Sequence, residues 1–187
     1  MPPKRKYSKE QIVEKAFEIA KEKGIDSITI RKVAKKLNSS VAPIYVNFDN
    51  ADELIQAVIE KTFKLGEELI YEQNTGEPFK DIGLASIQFA REYPVLYWDL
   101  LKNQGKYMND YDQSIGNTII KQMKKDKNLK DFSDEKLKEI LLKMRVIQTG
   151  ISVMLSSGLL PKEFNEKSEE ELLDSLAADI IYAEKNR

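Results

Sequence analysis

Cysteine and histidine are both absent from this 187-residue chain. Without cysteine there is no disulfide framework and no thiolate metal site. Without histidine the commonest general base and the commonest zinc ligand are missing as well. Carboxylates or lysines could still support catalysis, but most of the usual catalytic constellations are gone. No uninterrupted apolar run of about 18 residues occurs either, so no transmembrane span is expected. The opening Met1-Pro2-Pro3-Lys4-Arg5-Lys6 is charged with no apolar stretch behind it, unlike a signal peptide. The expectation is a cytoplasmic protein that does not meet a membrane. Strand-like alternation is scarce too, and nearly every segment repeats its apolar residues at helical period.

The overall charge of −1 conceals an asymmetry. Residues 1–50 hold eleven Lys/Arg against six Asp/Glu, a net of +5, while the remaining 137 hold nineteen against twenty-five, a net of −6. A basic head on an acidic body suits a head that meets a polyanion and a body that does not. A solvated lysine-rich surface has the same composition, so charge alone does not decide.

Helix punctuation divides the chain further. Ser8 and Gln11 form a capping box, with Tyr7 and Ile12 placed as a hydrophobic staple, and Gly24 can take the left-handed conformation that ends this first helix. Thr29 opens a short second helix carrying Ile30, Val33, Ala34 and Leu37 inward, and Asn38 ends it. Ser40 is placed to cap a third helix of about one turn and a half, through Val41 to Tyr45 or Val46, with Pro43 in its first turn where an N–H is not needed. Asn50 and Glu53 make a second capping box for a long fourth helix that ends near Asn74-Thr75-Gly76. Pro78 opens a fifth with Phe79, Ile82, Ser86, Phe89 and Ala90 on one stripe, and Tyr93-Pro94 breaks it. A sixth runs from Val95 to Leu101 and a seventh from about Asp112 to Lys125. Ser133 begins an eighth that Gly158 ends, and Ser168 with Glu171 caps the ninth. The nearest thing to a linker is Lys124 to Asp131. The fold expected is all-α: a three-helix head over residues 1–50 and a larger helical domain over 51–187.

The stretch Thr29 to Ser40 to Tyr45, a helix, a short turn and a second short helix, has the size of a helix-turn-helix, whose second helix enters the major groove of DNA. The gapless run Thr29-Ile30-Arg31-Lys32-Val33-Ala34-Lys35-Lys36-Leu37-Asn38-Ser39-Ser40-Val41-Ala42-Pro43-Ile44-Tyr45-Val46-Asn47-Phe48-Asp49-Asn50-Ala51-Asp52-Glu53-Leu54 closely resembles the DNA-binding signature of the TetR family. Ile12 to Gly24 is similar to that family's first helix, and Phe89 to Tyr97 to a segment of its ligand domains.

The resemblance implies a transcription regulator rather than an enzyme, without a cofactor. It implies an N-terminal DNA-binding domain and a C-terminal domain that binds a small-molecule effector and pairs two copies through the last two helices. Position by position, Thr29 and Arg31 match residues that contact phosphate, and Ser40, Val41, Ala42 and Pro43 match the start of the recognition helix. Tyr45 matches a tyrosine that bonds a phosphate, and Phe48 an aromatic that locks the helix to the core. Asn47 and the Arg5 arm complete the expected DNA contacts. Four departures weaken the match: Asn47 stands where histidine or tyrosine is frequent, Asp49 and Ala51 where lysine is, and Pro43 where threonine or alanine is common. Phosphate contacts dominate affinity for DNA, so Arg31, Lys32, Lys35 or the Lys4-Arg5-Lys6 arm must compensate. For the effector the expected lining is Tyr93, Tyr97, Trp98, Tyr107, Met144 and Gln148, aromatic enough to suit an apolar or aromatic molecule. Gly150, Ser152, Ser156, Ser157, Ala177 and Ala178 would let helices of two copies approach. The rival reading is a helical small-molecule-binding protein, or an enzyme, whose DNA binding has degraded.

Overall fold

A computed structural model of the chain describes residues 7–103 and 111–186. Among them are nine α-helices and no strand: α1 (Lys9–Lys23), α2 (Ile30–Lys36), α3 (Ala42–Tyr45), α4 (Ala51–Gln73), α5 (Pro78–Glu92), α6 (Pro94–Lys102), α7 (Tyr111–Met123), α8 (Asp134–Ser156) and α9 (Glu166–Lys185). A 3₁₀ turn, Ile25–Ser27, follows α1. The chain divides into two compact units, one within Met1–Leu65 and Tyr93–Met108, the other within Gly66–Glu92 and Asn109–Arg187.

In the first unit the capping box of Ser8 and Gln11 is complete: Gln11 N–H donates to Ser8 Oγ at 3.2 Å, and Ser8 N–H to Gln11 Oε1 at 2.9 Å. Behind it Ile12, Ala16, Ile19 and Ala20 form the buried stripe of α1. They pack in one core with Ile25, Val33, Ile44, Phe48, Leu54 and Val58, all buried. Burying a side chain of this size contributes about 1.5–3 kcal/mol each relative to exposure, which is what holds such short helices in place. Gly24 ends α1, but not in the left-handed helical well. Its φ of 85° and ψ of 162° lie in a region that is essentially glycine-only. This sharp exit turns the chain toward α6, where Asp99 Oδ2 accepts the Ile25 N–H at 2.5 Å. Leu96 of α6 is fully buried, and Phe17 packs against Tyr93 at 6.5 Å between ring centroids. So α6 folds with the head although more than forty residues of chain separate it from Phe48.

Two caps depart from expectation. Asn50 Oδ1 accepts the Glu53 N–H at 2.9 Å, yet Glu53 does not return the bond to Asn50; its Oε2 accepts from Asp49 N–H at 2.8 Å. At the other end of the chain α9 starts two residues before Ser168. Asn165, in an extended conformation, is its N-cap and accepts the Ser168 N–H at 3.2 Å. Asparagine competes equally well with serine for this role, and sequence spacing did not separate them.

In the second unit α5 packs against α7, α8 and α9. Its buried positions include Phe79, Ile82, Gly83, Ala85, Ile87 and Ala90, while Ser86 and Phe89 are only half-buried. The burial is wider than one stripe because α5 is covered from several sides. Lys124 to Asp131 is not a linker. Leu129 is fully buried in the core of this unit, and Asp126 Oδ1 accepts the Asn128 N–H at 2.8 Å.

Near the end of α9, Glu184 has a fully buried side chain held by Lys136 and Lys143 of α8. Hydrogen bonds from Lys136 and then Lys143 pull its carboxyl down to about 2 from an ordinary value of 4.5. A lowered folded-state pKa stabilises the fold at pH above the unfolded value, and the contribution disappears as pH falls through the folded one. Chemical denaturation between pH 4.5 and 2 is therefore expected to show stability declining with acid, and Glu184→Gln to make that decline shallower. An unchanged acid limb in Glu184→Gln would mean that the pair adds nothing to stability.

Candidate nucleic-acid interface

The interface is built from the α2–α3 segment. Thr29 Oγ1 accepts the Lys32 N–H at 3.2 Å and sets the start of α2. Val33 and Ala34 turn inward, and α2 ends in a Schellman motif: Asn38 adopts φ 48°, its N–H bonds Lys35 O at 3.1 Å, and Ser39 N–H bonds Ala34 O at 2.9 Å. Val41, not Ser40, then occupies the N-cap position of α3, in helical conformation and with no side-chain cap. Ser40 is left exposed with its hydroxyl uncommitted to capping. Pro43 falls in the first turn as expected.

Ile44 and Phe48, fully or almost fully buried, pin this one-turn helix to the core. Their burial forces the opposite face outward. Val41 is 37% exposed, Tyr45 56% and Val46 57%, with Ala42 exposed beside them. Val46 was not among the residues expected at the interface. Its spacing of four from Ala42 places these two on one side of α3, away from Ile44 and Phe48, while Val41 stands exposed at the start of the helix.

The cations of the head divide into committed and free. Lys36 is held by Glu22 at 3.0 Å and Glu18 at 3.3 Å, contacts that raise its pKa, Glu22 contributing most. Lys9 pairs with Glu53 at 3.2 Å, and Lys61 with Glu14 at 2.8 Å. Lys32 Nζ donates to Ser27 O at 2.8 Å. Arg31 and Lys35, both exposed on α2, have no acidic partner among the described residues. Of the four cations of α2, these two are the ones available to an outside anion.

Asn47 is turned inward. Its Nδ2 donates to Pro43 O at 2.9 Å and to Tyr7 O at 3.4 Å, and its Oδ1 is buried without a partner. Tyr7, expected only as a staple, donates its OH to Leu37 O at 2.8 Å and so clamps the end of α2. Asp49 is exposed, its backbone N–H held by Glu53. Arg5 lies outside the described residues.

The residues expected around an effector are divided between the units. Tyr93, Tyr97 and Trp98 belong to the first, where Tyr97 and Trp98 meet edge-on at 6.2 Å. Met144 and Gln148 are buried on α8 in the second, with Gln148 Nε2 only 3.3 Å from where a Cβ on Gly83 would stand. Tyr107 lies outside the described residues. The second unit has a cavity of about 300 Å³ whose wall includes Phe79, Gly83, Met144, Leu173 and Ile181. Another, of about 330 Å³, is polar, with Gln73, Gln88, Arg91, Glu92, Glu166 and Glu169 around it. Met144 is the expected lining residue that meets one of these two cavities. Among the described residues no group of carboxylates is arranged to hold a metal ion, and no helix is long and apolar enough to cross a membrane.

A helix-turn-helix head with an exposed second helix and free flanking cations, followed by an all-helical body, is an arrangement suited to binding DNA. Residues 12–58 match the family model of bacterial regulatory proteins, tetR family. The chain is similar in fold to a transcriptional regulator of Pseudomonas aeruginosa PAO1, at TM-score 0.62 and 19% identity over 95% of this chain and 92% of that one. It is also similar to a TetR-like regulator from a Rhodococcus species, RHA1, at TM-score 0.61 and 16% identity over 90% and 92%. A TetR-family regulator from Haemophilus influenzae RD matches at TM-score 0.59 and 18% identity over 94% of each chain. No curated protein matches. The head is a tetR-family DNA-binding domain, and the chain as a whole has the fold of the TetR-like transcriptional regulators.

Proposed function

We propose that this protein is a homodimeric, ligand-responsive transcription regulator, and more specifically a repressor that a small molecule releases from its operator. The observation that carries the reading is the outward face of α3, exposed at Val41, Ala42, Tyr45 and Val46 and flanked by the unpaired Arg31 and Lys35. Thr29, Ser40 and Tyr45 have hydroxyls at its edge that can bond phosphate; the side chain of Asn47, bonded inward, is left out of the contact set. The reading places the effector in the helical body, where Met144 and Gln148 are buried, and dimerisation on α8 and α9. Leu142, Val146 and Met154, four or eight residues apart on α8, are 62%, 66% and 39% exposed, and Tyr182 of α9 is 72% exposed. Large apolar side chains left in water at this spacing suit a helix–helix interface with a second copy.

The test is binding of the full chain to DNA from upstream of its own gene across a salt series. Specific affinity should fall steeply with salt, by a slope of about 0.9 for each phosphate neutralised. Binding that is absent at low salt would favour the rival reading, a helical binding protein with degraded DNA binding, to which the exposed Asp49 lends support. Tyr45→Phe should weaken binding to specific and unrelated duplexes alike, by about 1 kcal/mol for one lost phosphate bond. Equal affinities of the variant and the parent at low salt would remove Tyr45 from the interface.

A further inference from the structure

The recognition surface has an unusual chemistry, and it bears on which DNA the head would read. The segment Ser40-Val41-Ala42-Pro43-Ile44-Tyr45-Val46 contains no Arg, Lys, Asn, Gln, Asp or Glu, the side chains that pair in bidentate fashion with base edges. The next amide, Asn47, is bonded to Pro43 O and Tyr7 O. Ser39 Oγ, on the other side, is buried in the turn. What α3 presents is aliphatic: Val41, Ala42 and Val46, with the Tyr45 ring between them. The charges stand apart from it, on Arg31 and Lys35 of α2, where they suit the phosphate backbone. Exposed aliphatic groups framed by free cations fit a partner that is anionic at its rim and carries apolar groups within.

We infer that α3 reads its DNA through the 5-methyl groups of pyrimidines in the major groove, with Val41 and Val46 as the specificity-determining residues. This deepens the proposed function and rests on it. The thymine methyl is the one apolar group a base pair displays there, and 5-methylcytosine carries the same group at the same ring position. Two consequences follow. The operator half-site has thymine where the valines reach it, and cytosine methylated at C5 substitutes for thymine at those positions better than cytosine does. Removing one buried methyl should lower affinity about fourfold, the cost of leaving one such group and its valine contact unburied. Because phosphate contacts are untouched, the salt slope should not change.

The experiment uses the full chain and a duplex enriched by it from a random-sequence library. Each thymine of that duplex is replaced in turn by deoxyuridine, which lacks only the methyl, and affinity is measured at one salt concentration. The expected result is a loss of about fourfold at one or two thymines per half-site. At those positions 5-methylcytosine should bind better than cytosine. The loss should shrink in Val41→Ala or Val46→Ala at the thymine each contacts. Full tolerance of deoxyuridine overturns the inference while leaving the proposed function intact. So does a loss of equal size in both valine variants, since the methyl would then be read elsewhere. A library from which no duplex is enriched overturns the proposed function and this inference together.

Discussion

Replacing Gly24 with alanine is expected to destabilise the protein by about 3 kcal/mol, and to lower its melting temperature by about 6–12 °C. Two separate effects combine. Alanine is strained at φ 85° and ψ 162°, where a Cβ meets the backbone on both sides. The added Cβ would also stand 2.5 Å from Asp99 Oδ2, so the carboxylate must move. That same oxygen accepts the N–H of Ile25, a residue with no solvent exposure. If Asp99 swings away, the amide is left buried without a partner, a loss of about 1–3 kcal/mol. Asp99→Ala alone should therefore destabilise by the unpaired amide only. Gly24→Ala in an Asp99→Ala background should be milder than in the parent, because the clash is gone and the strain remains. Thermal melts of the four proteins measure both parts. A Gly24→Ala protein that melts with the parent would show that the turn after α1 can relax into an ordinary conformation. Loss of DNA binding alongside the melt is also expected, since Ile25 joins the core that α2 and α3 stand on.

Leu142→Arg is expected to convert a dimer into monomers and to lower operator affinity by about 100-fold or more. Leu142 is 62% exposed on α8 and one helical turn from Val146, which is 66% exposed. In the proposed helix–helix contact with a second copy, an arginine head would have to give up its hydration or hold the two copies apart. Operator affinity falls because the second head no longer binds at high effective concentration, a benefit of about 10²–10⁴ for linked sites. Sedimentation equilibrium gives the mass and a DNA titration the affinity. Since Leu142 is exposed in the single chain, the variant should fold, and its far-ultraviolet dichroism should match the parent. A Leu142→Arg protein that remains dimeric would move the interface off this face of α8. A monomeric one with undiminished operator affinity would separate dimerisation from DNA binding.

Helix order and helix ends were readable because they depend on neighbouring residues. Ser8 with Gln11, Thr29, Asn38 and Ser133 act within three or four positions of themselves, and the structure keeps each role. The apolar pattern of α2 was likewise sufficient to predict which side of the helix is buried, since a single face meets the core. The errors arose where a choice between equivalent local partners fell to the surroundings. Asn165 in place of Ser168, Asp49 in place of Asn50 as the partner of Glu53, and Val41 in place of Ser40 at the start of α3 are of this kind.

By itself the sequence determined an all-helical protein with a basic helix-turn-helix head, because periodicity, caps and charge are local and additive. Tertiary structure alone decided which polar groups of that head remain available. Lys36 and Asn47 are close in sequence to the interface, yet Glu18, Glu22, Pro43 and Tyr7 hold them, while Arg31, Lys35 and Val46 are left to solvent. It also decided that α6 completes the first unit, through Leu96, Tyr93 and the carboxylate of Asp99 at the Ile25 amide, 74 residues away along the chain. No pattern within a helix records such a bond. It depends on where the backbone exits α1, and only the packed core directs that N–H at that oxygen.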